Sequence, residues 1–565
     1  MQKNTKLELT WVGKEKEINV EPRILIEDKA FSNTSEDRNT KNMLIHGDNL
    51  LALKALEQDF SGQIKCIYID PPYNISAATP YYDDSLENSQ WLNLMKPRIE
   101  LLWSLLTTDG LLAVQIDDEQ FARLFLLMEE ICSQKNMKII CVKMSEPTGV
   151  KMASVNKAGS IPKLKEFIIL AKKNGINNLE LEKIPKEKWD NEYRTYVCNI
   201  TDMELGEIKK YLQGENNLTE EEADEILKKV EFKSIMEIAK MQGHEKPTEE
   251  WCYDNAGKIV QFATLTGGAR DLAEHKKLSG FLFGAFTIET KTGKRYAIKA
   301  EFNHMTKLPR CKLLFSDQYL TVNPGDLWTD IKTTGLDNEG VVDFPNGKKP
   351  EKLIKRIIKM NTKKGDLVLD SFLGSGTTAA VAHKMGRRWI GIEMGDHAYT
   401  HAKFRLDKVI DGSDQGGISK AVNWNGGGGY RFYELAPTLI KEDAFGQAII
   451  NPDYNAEMLV AGISKHEGYF YNPDKDVFWK QAKNGVSSYL YVTTNHVTHR
   501  LLETILSDMQ DDEFCLIVCK SYDANCSNFS KRISIKKIPQ SLLKNCEFGK
   551  DDYSLNIISP PEYEE

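Results

Sequence analysis

The sequence predicts an α/β fold with a Rossmann-like sheet, and three stretches carry that expectation. The first is Ile64-Lys65-Cys66-Ile67-Tyr68-Ile69, a β-branched and aromatic run that reads as a buried strand. The second is Leu367-Val368-Leu369-Asp370, then glycine-rich residues 371–376, then Thr377 to Met385. It reads as a strand, a tight turn and a helix. The third, Arg388 to Glu393, is a further strand that ends in an acid. Strands alternating with helices build parallel sheets.

The first strand stops at Asp70-Pro71-Pro72-Tyr73. Neither proline can donate to a ladder, so the turn is rigid. It presents a carboxylate and a ring at a strand's carboxyl end, the edge where open α/β sheets bind ligands. Such a turn suits a planar amine: the carboxylate accepts an N–H and the ring stacks on the π-face. The alternative is a strand-ending turn whose Asp caps a neighbouring element.

In the second stretch, Gly374 and Gly376 permit a tight turn and close approach of a ligand. Thr377 and Thr378 sit where a helix N-terminus exposes free N–H groups. Glu393 has the position of an acid that binds ribose hydroxyls. The segment lacks the Gly-Lys-Ser/Thr of a phosphate-binding loop and the third glycine of the dinucleotide fingerprint.

Together these residues resemble the motifs of DNA amino-methyltransferases that use S-adenosylmethionine. Asp-Pro-Pro-Tyr is similar to their catalytic motif, and Asp-x-Phe-x-Gly-Ser-Gly-Thr-Thr to their cofactor motif. The catalytic motif comes first, by about 300 residues, which resembles the β order of these enzymes. Leu44 to Lys54, Trp91 to Asp118, Gly426 to Leu435 and Cys546 to Tyr553 extend the match. The whole pattern resembles the modification subunit of type III restriction-modification systems. It covers most of residues 40–175, 320–440 and the C-terminal region, and is weak over 176–319.

The resemblance implies an S-adenosyl-L-methionine-dependent methyltransferase sheet with an inserted target-recognition domain and a C-terminal α/β domain. It implies Asp70, Pro71, Pro72 and Tyr73 as catalytic residues. It implies Asp48, Phe344, Lys349, Asp370, Phe372, Gly374, Gly376, Thr377 and Glu393 at the cofactor. The implied reaction is methyl transfer to N6 of a flipped adenine in double-stranded DNA, without a metal. The implied partners are a second copy of the chain and a helicase-nuclease restriction subunit. Alternatives stand beside these. The alternative reading of Asp48 is a cap of the helix that follows, and that of Lys349 a loop charge. N4-cytosine transfer is the alternative chemistry, although those enzymes more often carry Ser where Asp70 stands. A DNA-recognition scaffold with secondary methyl transfer is the third reading. The sequence departs from the family after Asn74, where Ile75 to Pro80 replace the usual Thr and Gly.

At 565 residues and 41% hydrophobic content, the chain has room for several domains. The expected division is an N-terminal arm (1–40), a catalytic half (41–175), a target-recognition domain (176–319), a cofactor-binding half (320–410), a linker (411–434) and a C-terminal domain (435–565). Residues 145–162 read as a mobile loop and Lys165 to Leu170 as an edge strand. No run approaches the ~20 apolar residues of a membrane span. The first residues lack an apolar signal core, which predicts a cytoplasmic protein. Ten scattered cysteines without a Cys-x-x-Cys pair predict reduced thiols and no zinc. A net charge of −8 opposes general polyanion binding. Cations nevertheless concentrate locally: nine lysines face Glu146 and Glu166 between 133 and 175, and eleven Lys/Arg face three acids between 345 and 390.

Overall fold

The computed structural model describes residues 8–73, 88–145, 159, 161–186, 188–331, 336–340, 344 and 347–553. Ile75 to Pro80, and most of the loop expected over 145–162, lie outside the described residues. The chain forms two compact units, Met1–Glu182 with Gly325–Glu565, and Lys183–Pro324.

Among the described residues, ten strands of the first unit make one sheet. They are β1 (Leu25–Asn33), β2 (Met43–His46), β3 (Ile64–Ile69), β4 (Leu106–Ile116), β5 (Met137–Lys143), β6 (Lys165–Lys172), β7 (Leu327–Trp328), β8 (Leu367–Asp370), β9 (Arg388–Glu393) and β10 (Tyr430–Leu435). Their order is β1-β10-β2-β9-β8-β3-β4-β6-β5-β7. β10, β2, β9, β8, β3 and β4 run parallel. β6 runs antiparallel between β4 and β5. The order reverses at β8, which has β9 on one side and β3, from far earlier in the chain, on the other. Ligands of open α/β sheets bind at such a switch point, outside the strands' carboxyl ends.

Helices cover both faces, so the central strands are apolar on both sides. Cys66 and Tyr68 of β3 join the core under α4 (Glu351–Asn361), α5 (Thr377–Lys384) and α6 (Phe404–Ile410). Ile67 and Ile69 join the opposite core, under α1 (Asn49–Phe60), α2 (Asn88–Leu105) and α3 (Asp118–Cys132).

Three segments differ from the sequence reading. β1 falls in the expected arm, and β10 begins in the expected linker. Both are strands of the main sheet, antiparallel to each other. β1 is nowhere fully buried, so it lacks the apolar run that marks an interior strand. β6 is an interior strand rather than an edge, because β5 pairs along its whole outer side.

After β10 the chain builds a five-stranded sheet. Its strands Ser488–Val497, Phe514–Tyr522 and Ile533–Lys537 are parallel. Helices Ala456–Glu467 and His499–Asp508 pack on it. The final described residues return to the main sheet, where Tyr553 N–H donates to Asp48 at 3.0 Å.

The second unit is a six-stranded antiparallel sheet, running from Ala285–Glu289 at one edge to Glu231–Ser234 at the other. Helices Asp202–Gln213 and Glu220–Leu227 begin with capping boxes, Thr201 with Glu204 and Thr219 with Glu222. No described helix is long and apolar enough to cross a membrane.

Candidate active site

Two turns leave the carboxyl ends of paired strands at the switch point. β3 and β8 pair in parallel at Cys66 with Val368 and Ile67 with Leu369. The Asp-Pro-Pro-Tyr turn follows β3, and the glycine turn follows β8.

Asp70 is enclosed, with 19% of its side chain exposed. The second proline is pinned through its carbonyl, which accepts the Trp91 indole N–H at 2.8 Å. Tyr73 folds back toward Asp70. Its hydroxyl lies 2.6 Å from Asp70 Oδ1 and 2.8 Å from Glu166 Oε2. It has one proton to share between the two carboxylates. Lys349 Nζ donates to the same hydroxyl at 2.8 Å and lies 3.2 Å from Asp70 and 3.1 Å from Glu166. The ammonium also sits 5.0 Å from the Tyr73 ring centre. Glu166, on β6, accepts from Gln115 of β4, and Gln115 in turn accepts the Tyr68 hydroxyl at 2.7 Å.

The electrostatics follow from this enclosure. Burial pushes Asp70 up to about 6; Glu166 adds to the rise, and Lys349 opposes it. Burial also penalises the Glu166 carboxylate, but Lys349, Gln115 and Tyr73 outweigh it and hold the group below its ordinary range. Lys349 is raised, because Asp70 and Glu166 together outweigh its burial.

The glycine turn is built differently. Asp370 Oδ1 accepts Phe372 N–H at 2.9 Å, and burial pushes this acid up to about 7. Gly374, at φ 55°, donates to Glu393 Oε2 at 2.6 Å. Glu393 ends β9, and its other oxygen accepts Met394 N–H at 2.9 Å and faces His397 Nε2 at 2.7 Å. The Phe344 ring packs near His397 and His401, 3.9 Å from where a Cβ of residue 374 would lie. Phe372 is buried in the core under α1–α3.

Four of the residues expected at the cofactor have other partners. Asp48 is the N-cap of α1: Oδ1 accepts from Leu50 and Leu51, and Oδ2 from Arg98 and Tyr553. Its alternative reading as a cap is the one the geometry supports. Gly376, at φ 83°, packs closely on Ala402, since a Cβ would sit 3.2 Å from Ala402 Cα. The Thr377 hydroxyl accepts from buried Arg405 at 2.7 Å. Lys349 stands at the catalytic turn rather than at the glycine turn.

Sequence reading missed Glu166 and Gln115. Each is a polar residue inside or beside an apolar strand run, Phe167 to Leu170 and Leu111 to Ile116. A buried polar group in such a place needs a partner. Several cations of the two basic runs are paired with acids, most of them from elsewhere in the chain. Lys163 pairs with Asp117, Lys165 with Asp118, Arg356 with Asp330, Lys355 with Glu182 and Lys384 with Glu351.

An acid–aromatic turn beside a glycine turn, at the switch point of a largely parallel sheet, delimits one class of protein. Residues 64–404, more than half of the chain, match the profile of the DNA methylase family, and the chain belongs to that family. Within it, the chain is similar to type III modification subunits. It is 37% identical over 419 residues to the probable type III restriction-modification enzyme HindVI Mod subunit of Haemophilus influenzae, covering 71% of this chain and 55% of that protein. It is 26% identical to the EcoPI Mod subunit of Escherichia phage P1, over 66% of this chain and 60% of that one. The EcoP15I Mod subunit of Escherichia coli is 23% identical over 89% and 84%. The first two matches thus span little more than half of those relatives. Among solved structures, the M1.HpyAVI–SAM complex aligns at 14% identity and a TM-score of 0.31, over 65% of this chain and 99% of that one.

Proposed function

We propose that this protein transfers a methyl group from S-adenosyl-L-methionine to N6 of adenine in double-stranded DNA, as the modification and recognition subunit of a type III restriction-modification system in the cytoplasm. The observation that carries this is the enclosed acid Asp70, set between Tyr73 and Lys349 at the switch point.

The residues of the glycine turn fit the cofactor. Ser371 Oγ is buried there with no hydrogen-bond partner among the described residues. Gly374 has no side chain and, among the described residues, only the Phe344 ring within 4 Å of the space one would fill. Glu393 would hold ribose hydroxyls, and Asp370, Phe344 and the backbone N–H of Thr377 would meet the methionine part. Bound there, the cofactor supplies an electrophilic methyl on a sulfonium.

Asp70 accepts one N6–H and the Pro71 carbonyl accepts the other. That favours the pyramidal amine, whose lone pair is no longer delocalised into the ring. The stabilisation grows as positive charge develops on nitrogen. Tyr73 stacks on the adenine. A base within a duplex cannot reach an enclosed turn, so it is flipped out, at a cost of a few kcal/mol. Asp70, Pro71 and Tyr73 would contribute by positioning the amine more than by acid–base help, and the methylated nitrogen, being acidic, would afterwards lose its extra proton.

The Lys183–Pro324 unit is the sequence reader, matching the weakly conforming segment between the two motifs. A second copy of the chain, and a helicase-nuclease subunit that supplies ATP hydrolysis and cleavage, complete the assembly. Incubating unmethylated bacterial DNA with tritiated cofactor tests the chemistry. Label in N6-methyladenine supports the reading. Label in N4-methylcytosine replaces it with the cytosine reaction, and absence of label leaves a recognition scaffold.

A further inference from the structure

We propose that Glu166 is a positioning residue that releases Asp70 for the substrate amine. The inference rests on the reading of Asp70 as the acceptor of that amine.

Without a substrate, Asp70 is already engaged. The Tyr73 hydroxyl lies 2.6 Å from one carboxylate oxygen, and Lys349 Nζ lies 3.2 Å from the other. The carboxylate keeps lone pairs for an amine, but each donor already bound weakens it as an acceptor, so it becomes a stronger one when one of these lets go. Glu166 Oε2 stands 2.8 Å from the same hydroxyl and 3.1 Å from the same ammonium. The phenolic O–H therefore turns from Asp70 to Glu166 by rotation about its C–O bond, with no change in net charge. Lys349 keeps an anionic neighbour throughout, so no buried cation is left unpaired.

Glu166 is held for this task. Only 16% of its side chain is exposed, and Gln115 donates to it from the adjacent strand. Gln115 is itself fixed by the Tyr68 hydroxyl. The relay thus draws on β3, β4, β6 and the segment before α4, which are far apart in sequence. A carboxylate that served only to pair with Lys349 would not need to share the Tyr73 hydroxyl with Asp70.

The arrangement has a signature in pH. The charged or titratable neighbours of Asp70 are Lys349, Glu166 and Tyr73, with Tyr68 and Asp370 behind them. Of these, Glu166 holds Asp70 up and Lys349 holds it down. Glu166→Gln keeps an acceptor for Tyr73 but removes the charge, so Asp70 should ionise at lower pH.

The experiment is single-turnover methylation across pH 5–8.5, with saturating cofactor. The duplex carries a site mapped by sequencing DNA that the wild-type protein has modified. Wild type, Glu166→Gln, Asp70→Ala and the pair Tyr73→Phe and Tyr73→Phe/Glu166→Gln are compared. The expected result is a rate about tenfold or more below wild type for Glu166→Gln, with its inflection moved to lower pH. With the hydroxyl already gone in Tyr73→Phe, Glu166→Gln should cost much less. A wild-type rate, or a slow variant with an unmoved inflection and an equal cost in the Tyr73→Phe background, overturns the proposal. If Glu166→Gln alone fails to fold, the cost of adding it to Tyr73→Phe, read together with the inflection of the double variant, decides. An active Asp70→Ala would instead remove the reading on which the inference stands.

Discussion

Glu393 Oε2 accepts the backbone N–H of Gly374 at 2.6 Å, joining the end of one strand to the turn that follows its neighbour. This bond fixes the turn before any ligand arrives. On the proposed reading, it also places a carboxylate where the cofactor's ribose hydroxyls would exchange for a peptide N–H. A pre-shaped site loses less ordering entropy on binding.

The turn should therefore be intolerant at residue 374. Gly374→Asp puts a side chain on a residue at φ 55° and places a carboxylate against the Phe344 ring and beside Glu393. Calorimetry should show no S-adenosylmethionine binding, with the melting temperature little changed because the position is not packed by backbone. Unchanged affinity would put the cofactor elsewhere.

Methyl transfer should depend on pH through Asp70. Its carboxyl titrates at about 6 in the folded chain, raised by burial. The accepting form is the carboxylate, present above that value. The single-turnover rate should rise through about pH 6 and level off beyond it. Lys349 opposes the rise in Asp70, so Lys349→Met should move the inflection to higher pH. An inflection that stays put would disconnect Lys349 from Asp70 during catalysis.

A buried ionic cluster supports the glycine turn from behind. Arg405 donates to the Thr377 hydroxyl and to Glu351, each at 2.7 Å. Lys384 reaches both Glu351, at 2.9 Å, and Asp414, at 2.7 Å. All four charged side chains are fully buried. Breaking such a cluster leaves an uncompensated charge and costs about 3–5 kcal/mol. Arg405→Met should lower the melting temperature and weaken cofactor binding together. Lys408→Met, at the exposed pair with Asp411, should change stability by less than about 0.5 kcal/mol. Equal melting temperatures for the two variants would show that the cluster contributes nothing net.

These cases show which parts of the site can be read from sequence. Asp70, the two prolines and the glycine turn are local signals, each contained in a short segment whose chemistry is self-explanatory. The capping role of Asp48 was also local, since Asp before Asn49-Leu50-Leu51 is a helix start. The partnership of Glu166 with Lys349 was not local. It joins residues 183 positions apart, and only the insertion of β6 between β4 and β5 makes them neighbours. The same holds for Arg405 and Thr377. β1 and β10 escaped for a different reason: strands near a sheet edge keep polar residues, so the period-2 apolar signal is weak.

The last prediction concerns recognition. The Lys183–Pro324 unit has its own cores and an antiparallel sheet of six strands. A unit with its own core can be exchanged without unfolding the rest. Base edges in the major groove are read by Arg, Lys, Asn and Gln. Some cations here are structural: Arg295 donates to Glu289 and to the Tyr211 carbonyl, and Arg270 is held by Glu274. Arg310 is 63% exposed but pairs with Glu192 at 3.4 Å and donates to the Phe262 carbonyl. Lys294 is better placed to meet DNA, since it forms no ion pair among the described residues. Replacing 183–324 with the corresponding unit of a relative should change which sequence is methylated, while Asp70→Ala and Gly374→Asp still abolish methylation in the chimera. Sequencing the modified DNA reads both outcomes. An active chimera that keeps the original target sequence would place recognition in the first unit instead.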